Sequence, residues 1–429
     1  MLARLLPFVL LLVACSTQDA ALVDDTPPSP PAPGELASEV PTNVLTPSPI
    51  RVTLDGLPEP FATNSARKGP DVVGVPDGAT LHAPDGFRVQ VWADGLNAPR
   101  WLALTPEGDV LVAESRANRI ARLSDTDGDG VAETRTTFAT SENAMDQPFG
   151  MAFMDGSFFV ANTGEVRRYA YDGAISGSGE VITELTPGGY NQHWTRNVIA
   201  GPDGWLYVSV GSKSNVDEEE LPRASVQRMR PDGSQRTTYA SGLRNPVGLA
   251  FQPSTGDLFT TVNERDGMGD GLVPDYFTRV QQGGFYGWPY AYLAPGNLDP
   301  RRMDGDTSER PDLAAQTLTP DVLFEAHSAA LGVQFYDGDQ FPARYQGGAF
   351  VAFRGSWNRS QGTGYKIVYV PFDGDQPVGH YEDFLTGFLL DPSGPTTFAR
   401  PVGLLVLPDG SLLLTDDGNG RIYRISYTG

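Results

Sequence analysis

The chain contains four histidines, and two of them, His193 and His327, stand just ahead of a short apolar run. A neutral imidazole is the usual general base near pH 7, although a lone histidine is more often structural. Arginines gather at the same phase: Arg100, Arg196, Arg244 and Arg400 each lie at the start of such a run, with Asp146, Gln147, Gln192 and Asn245 beside them. A second group follows the next apolar run: Glu114 and Arg116, then Asn263-Glu264-Arg265-Asp266, then Arg354-Gly355-Ser356-Trp357-Asn358-Arg359. Repeated guanidinium groups suit a ligand with several carboxylates or phosphates, held by forked charge-assisted hydrogen bonds. Trp357, with Tyr286 or Trp288, offers a flat stacking surface. Salt bridges between neighbouring elements explain Arg100, Arg116 and Arg196 equally well.

The elements that place these residues repeat. An apolar strand starts after a polar loop six times: at NAPRWLALTPEGDVLVAES (Asn97), DQPFGMAFMDGSFFVANTG (Asp146), QHWTRNVIAGPDGWLYVSVGS (Gln192), RNPVGLAFQPSTGDLFTTVNERD (Arg244), HSAALGVQFYDGDQ (His327) and ARPVGLLVLPDGSLLLTDDGNG (Ala399). The first four starts are roughly 50 residues apart, the period of a four-stranded propeller blade. Turn residues such as Pro106-Glu107-Gly108-Asp109 sit where each run must reverse. The fold expected is an all-β, six-bladed β-propeller. The last unit stops at its third strand, Arg421 to Ile425, and the segment Phe87 to Gly95 resembles a fourth strand. That segment is expected to close the ring, which protects the edges. A β-sandwich with irregular repeats is the alternative. In a propeller the loop before each first strand shares a face with the loop between the second and third strands. The polar residues above therefore ring one mouth of the central channel.

Charge and cysteine usage narrow the function. There are 53 acidic and 31 basic residues, a net charge of −22, which disfavours a nucleic-acid partner. Cys15 is the only cysteine, so a disulfide, a Cys-ligated metal and a C-x-x-C-H haem attachment are all excluded. Residues 1–15 read as a signal peptide, with Arg4, an apolar run from Leu5 to Val13, and Leu12-Val13-Ala14-Cys15 resembling a bacterial lipobox. An ordinary signal peptide is the alternative. The expected location is the bacterial cell envelope, with the chain lipid-anchored to a membrane. Residues 16–50 are rich in proline and read as a disordered tether. Residues 51–83 form an N-terminal extension, and 84–429 the propeller domain.

The motifs QHWTRNVIAGPDG, GLRNPVGLAF, VNERD, GGFYGWPY, GSWNRS followed by GYKIVYVPF, and RPVG, in this order from about Pro84 to the C-terminus, resemble the sorbosone dehydrogenase-like branch of the soluble glucose dehydrogenase family. The resemblance implies a six-bladed propeller binding pyrroloquinoline quinone (PQQ) with Ca²⁺ and oxidising a sugar or related alcohol or aldehyde. It implies that His193 is the general base, with Arg244 beside it in catalysis. It implies cofactor contacts from Gln147, Arg244, Asn245 and Arg400, and more loosely Arg354, with His327 and Trp357 at the same mouth. It implies calcium held partly by backbone carbonyls at Asp266 and Gly267, since Ca²⁺ favours oxygen ligands. The glucose enzymes orient their base with an Asp after I-G-D, where this chain has Val210-Gly211-Ser212, and their calcium loop has Gly-Pro, where this chain has Asp266-Gly267. Without a haem motif, the electron acceptor is expected to be a separate molecule.

A second candidate metal site stands apart. Asp125, Asp127, Asp129 and Glu133 begin like an EF-hand loop, D-x-D-x-D-G, but Thr136 occupies position twelve. Calcium binding and a plain acidic hairpin turn both remain open. Two other function classes also compete: a non-catalytic propeller binding a carbohydrate or a partner, and a calcium-dependent lactonase-like hydrolase, which would need carboxylate ligands where this mouth carries arginines.

Overall fold

The computed structural model describes residues 39–186 and 193–429, and its described part is almost entirely antiparallel β-sheet. Sheets I to IV have four strands each and occupy 102–139, 151–184, 196–241 and 246–326. Sheet V takes its four strands from 330–385. Sheet VI is formed by Pro401–Val406, Leu412–Asp416 and Arg421–Tyr427, and Phe87–Ala93 pairs antiparallel with the last of these. The arrangement is propeller-like. The first strands of the sheets touch in chain order, I to II through V to VI, and that of VI touches that of I.

Close contact between first strands explains a recurring glycine. Gly150, Gly248, Gly332 and Gly403 occupy equivalent places in sheets II, IV, V and VI. A Cβ on each would lie 2.3 Å from the backbone of the next first strand or its lead-in: Val198 N, Leu331 O, Val402 O and Arg100 O respectively. Only a residue without a side chain permits that approach. The register shifts at the start of these strands in sheets IV, V and VI. A second-strand threonine then satisfies the backbone groups released by the bulge in two of them. Thr261 accepts from Gly248 N and donates to Leu331 O, and Thr415 accepts from Gly403 N and donates to Arg100 O.

Five of the six second strands are buried along their whole length, for example Val110–Glu114, Leu206–Val210 and Ala349–Phe353, and Ser157–Ala161 of sheet II at all but its first residue. That is why they are near-continuous apolar runs rather than alternating ones. The fourth strand of sheet I, Thr134–Ala139, is mostly exposed and correspondingly polar. The cores lie between neighbouring sheets. Phe159, Ala161 and Ile182 of sheet II, for instance, cluster with Val198, Val208 and Met229 of sheet III. Each fully buried side chain of this size stabilises the fold by about 1.5–3 kcal/mol.

The tether boundary needs correction. Glu39–Val40 adds to sheet VI, Thr42–Val44 runs parallel to Leu81–Ala83, and Pro49–Ile50 adds to sheet V. The proline-rich run ends at Gly34, and the outer strands of sheets V and VI offer unpaired backbone groups that a passing strand can satisfy. The expected signal peptide, with Cys15, and the rest of the tether lie outside the described residues. Residues 51–83 pack onto the loops at one end of the sheets. Phe61 N donates to Met268 O, Gly269 N to Ser65 Oγ, and Lys68 N to Trp357 O. No helix among the described residues is long and apolar enough to cross a membrane.

Candidate active site

A cavity of about 410 Å³ opens at the end of the sheets where the first strands begin. Arg100, His193, Arg244, Asn245, His327, Arg354, Trp357 and Arg400 all line it, together with Arg116 and Asp266. Residues up to three hundred positions apart are assembled because each sheet delivers the same two loops to the same end.

One wall is cationic. Asp417, just after the second strand of sheet VI, has a side chain only 3% exposed and accepts from Arg100 Nη1 and, at 2.9 and 3.1 Å, from Arg354 Nε. Burial alone would raise its pKa, but Arg354, Arg100 and Arg400 outweigh this and hold the carboxyl well below the usual range. Arg400 receives less. Its Nη2 makes a 3.4 Å contact with Gly355 O, and its buried Nε has no partner. Burial, followed by Arg354, lowers its pKa to about 9. Arg100 also leaves Nε unpaired, while its guanidinium lies over Phe149 and Trp194 at 5.5 and 5.2 Å. Two guanidinium groups bond one carboxylate and a third acts on it through space, so the wall carries surplus positive charge inside a concave, dielectrically shielded site.

The opposite wall carries the histidines. His193 is 3% exposed, and its Nδ1 lies 3.0 Å from both the carbonyl oxygen and Oγ of Ser212. Burial, then Arg244, pulls its pKa well below the ordinary value. Arg244 is firmly held: Nη1 donates to Glu264 O at 2.6 Å, and Nη2 to Asn215 Oδ1 and Asp266 Oδ2 at 2.9 Å each. Asn245 is buried with Oδ1 unpaired. A Cβ at residue 211 would lie 2.2 Å from that oxygen, so Gly211 is what lets Asn245 sit there. His327 is used by the protein itself. Its Nε2 donates to Gly269 O at 3.0 Å, and its Nδ1 accepts from Asn358 Nδ2 at 3.1 Å. It braces two loops of the wall. Asp275, also lining the cavity, accepts from Glu264 N and Ala329 N, and burial pushes its pKa up to about 7.

Several expected residues fall elsewhere. Gln147 is exposed, is not among the cavity residues, and its side chain accepts from Thr163 Oγ1 at 3.1 Å. Its φ of 49° turns the chain away after Asp146, which is also exposed. Arg196 is wholly buried behind the cavity, with Nη1 donating to His193 O and Thr195 O. Glu114 is a structural anion, paired with Arg119 and Arg135. Tyr286 and Trp288 are buried away from the cavity, bonded to Arg279 O and Asn215 O. Gln192 lies outside the described residues.

The calcium ligand expected at Asp266 does not fit this loop. The Asp266 carbonyl accepts from Arg301 Nη1 at 2.7 Å and Asn215 Nδ2 at 2.9 Å, and its carboxylate from Arg244 and Asn358. The carbonyl that a cation would need is already bonded by a guanidinium, and Gly267, at φ 92°, has Arg301 beside it. Asp125, Asp127, Asp129 and Glu133 do come together, away from the cavity, in the hairpin between the third and fourth strands of sheet I. Their carboxylates accept from the loop's own amides, such as Gly128 N to Asp125 and Val131 N to Asp129. Their ligand atoms all lie within 4.8 Å of one another, so the loop has the shape of an acidic turn and the carboxylate spacing of a cation site together.

Sequence reasoning missed Asp417, Asp275, Ser212 in its observed contacts, and Asn215. The first had a usable signal: Thr415-Asp416-Asp417-Gly418 is at the same phase as Thr261 to Glu264, so Asp417 matches Asn263. Asp275 and Asn215 carry no such mark.

A family model described as TrAA12-like matches residues 81–273 and 301–428. The pyrroloquinoline quinone-dependent pyranose dehydrogenase of Coprinopsis cinerea is 24% identical over 413 residues, covering 80% of this chain and 54% of that protein. The chain thus spans about half the length of that relative. The calcium structure of the Trichoderma reesei carbohydrate-active enzyme of family AA12 has a TM-score of 0.70 at 21% identity, covering 83% of this chain and 98% of that one. The holo form of the PQQ domain of the Coprinopsis cinerea pyranose dehydrogenase has a TM-score of 0.66 at 21% identity, covering 83% and 99%. The resemblance is borne out at the level of a PQQ-dependent soluble sugar dehydrogenase-like family, and the two solved structures share the fold.

Proposed function

Since the chain belongs to the TrAA12-like family, we propose that it is a PQQ-dependent oxidoreductase acting on a sugar or a related alcohol or aldehyde. The observation that carries this reading is the surplus of guanidinium groups facing a buried neutral histidine across one cavity. Arg400, Arg100 and Arg354 fit a flat polycarboxylate, because the buried Nε atoms of the first two lack partners and Asp417 alone cannot neutralise all three. Trp357 supplies an apolar face on the same lining. PQQ, when bound, supplies a two-electron acceptor for a hydride.

The chain's own residues do the rest. His193 accepts the substrate hydroxyl proton at Nε2 while Nδ1 stays on Ser212. Arg244, clamped by Asn215 and Asp266, stabilises negative charge developing on that oxygen. Burial excludes water from the base. Calcium enters no step of this scheme.

The ring of touching first strands, with Phe87–Ala93 beside the C-terminal strand, supports a six-bladed propeller closed by that N-terminal strand. The lipobox-like Leu12 to Cys15 supports an exported, lipid-anchored protein that passes electrons to a separate acceptor.

Titrating the purified protein with PQQ and following dye reduction with aldoses, alcohols and sorbosone tests the reading. Micromolar PQQ binding with turnover on one of these is expected. Absence of PQQ binding at that concentration overturns it.

A further inference from the structure

We infer that Ser212 is the positioning residue of the base: with its carbonyl oxygen and hydroxyl it fixes His193 as the Nδ1–H tautomer without supplying a charge. This rests on the reading that His193 is the base. Both contacts are 3.0 Å from Nδ1. A carbonyl oxygen only accepts, and the Ser212 hydroxyl proton is already committed to Ser214 O at 2.6 Å. Nδ1 must therefore be the donor, and in a neutral imidazole Nε2 is then the acceptor.

Ser212 is itself held. It is fully buried, and its N–H donates to Arg244 O at 2.7 Å. The same residue thereby sets the spacing between His193 and the backbone of Arg244. The charges acting most on His193 are Arg196 of its own strand, Arg244 from the start of sheet IV, and Arg223 from the segment before the third strand of sheet III. All three are positive. A carboxylate on Nδ1 would favour the imidazolium, whereas a carbonyl and a hydroxyl favour it far less. The consequence is a base that stays neutral, and competent, well into the acid range.

The test is nitrogen NMR of the histidine-labelled apo protein. With four histidines in the chain, His193→Asn assigns the resonance. A protonated Nδ1, an unprotonated Nε2 and a ring that stays neutral below the ordinary imidazole range are expected. Ser212→Asp should raise the proton affinity of His193 at least about tenfold and move the acid limb of kcat/KM upward by the same factor. Ser212→Asn, similar in size and uncharged, should leave that limb in place. An Nε2–H tautomer in the unaltered protein overturns the inference, whether or not the aspartate variant folds. Equal acid limbs for the aspartate and asparagine variants also overturn it. Undiminished turnover in His193→Asn would instead overturn the base reading itself.

Discussion

The two walls of the cavity handle charge in opposite ways. On the histidine wall each charge is answered by a neighbour, although Arg244 Nε, Asn245 Oδ1 and Glu264 Oε1 lack partners: Arg244 is held by Asn215, Asp266 and Glu264 O, His327 by Asn358 and Gly269 O, Asp275 by two backbone amides. On the arginine wall Arg100 and Arg354 converge on Asp417, and Arg400 is left with a single long contact to Gly355 O. A self-satisfied wall keeps its geometry without a ligand, which a base and an oxyanion donor require. An under-compensated wall is held apart from its best state until an anion arrives. The comparison separates the machinery for a proton from the machinery for a polycarboxylate.

The comparison can be broken most directly at the base. His193→Ala should lower kcat by about a thousandfold, the scale of a lost general base, while the PQQ dissociation constant stays within a few-fold. Equal losses in both would merge the two walls into one function. Next, Asp417→Asn should destabilise the apo protein by about 3 kcal/mol or more, as expected when buried cations lose their counter-charge. Thermal unfolding with and without PQQ measures this, and PQQ should recover part of the loss. Arg400→Met is the sharper case. It should weaken PQQ binding roughly 10- to 100-fold, the range for a charged hydrogen bond, yet leave apo stability unchanged or higher, because it removes a poorly paired buried cation. Arg244→Met, which strands Asp266 and Asn215, should lower apo stability. If both arginine variants behave alike, the distinction between the walls fails.

The last expectation is a slope with opposite sign at Asp275 and at Asp417. Asp275 is held at about 7 by burial, above its unfolded value of about 4. Its effect on stability is thus most favourable at low pH and is lost as pH rises from about 4 to about 7. Asp417 is depressed by Arg354, Arg100 and Arg400, so its contribution is present above about 4 and lost as pH falls further. Urea unfolding across pH should show Asp275→Asn flattening the first range and Asp417→Asn the second.

Much of this architecture was legible in the sequence because a propeller repeats its physics. The repeated strand starts predict first strands, and Gly248 and Gly403 within them prove to be where neighbouring strands approach too closely for a side chain. The phase of Arg244, Arg400, His193 and His327 predicts a shared mouth, and the cavity gathers all four. Gln147 shares that phase but fails, because a positive φ sends its side chain outward toward Thr163. Residues 39–50 look like a tether by composition and become edge strands because distant strands have open edges.

The sequence by itself determined the all-β repeat, the end of the sheets at which polar groups collect, and the excess of arginine there. Those are properties of period and residue type, which local geometry dictates. Only the tertiary structure decided how each group is occupied: His327 as a brace, the Asp266 carbonyl taken by Arg301, Asp417 beneath the guanidinium groups, and Ser212 behind the base. Those roles depend on which hydrogen-bond partners from other sheets arrive within 3 Å or so, and spacing along one chain does not encode that.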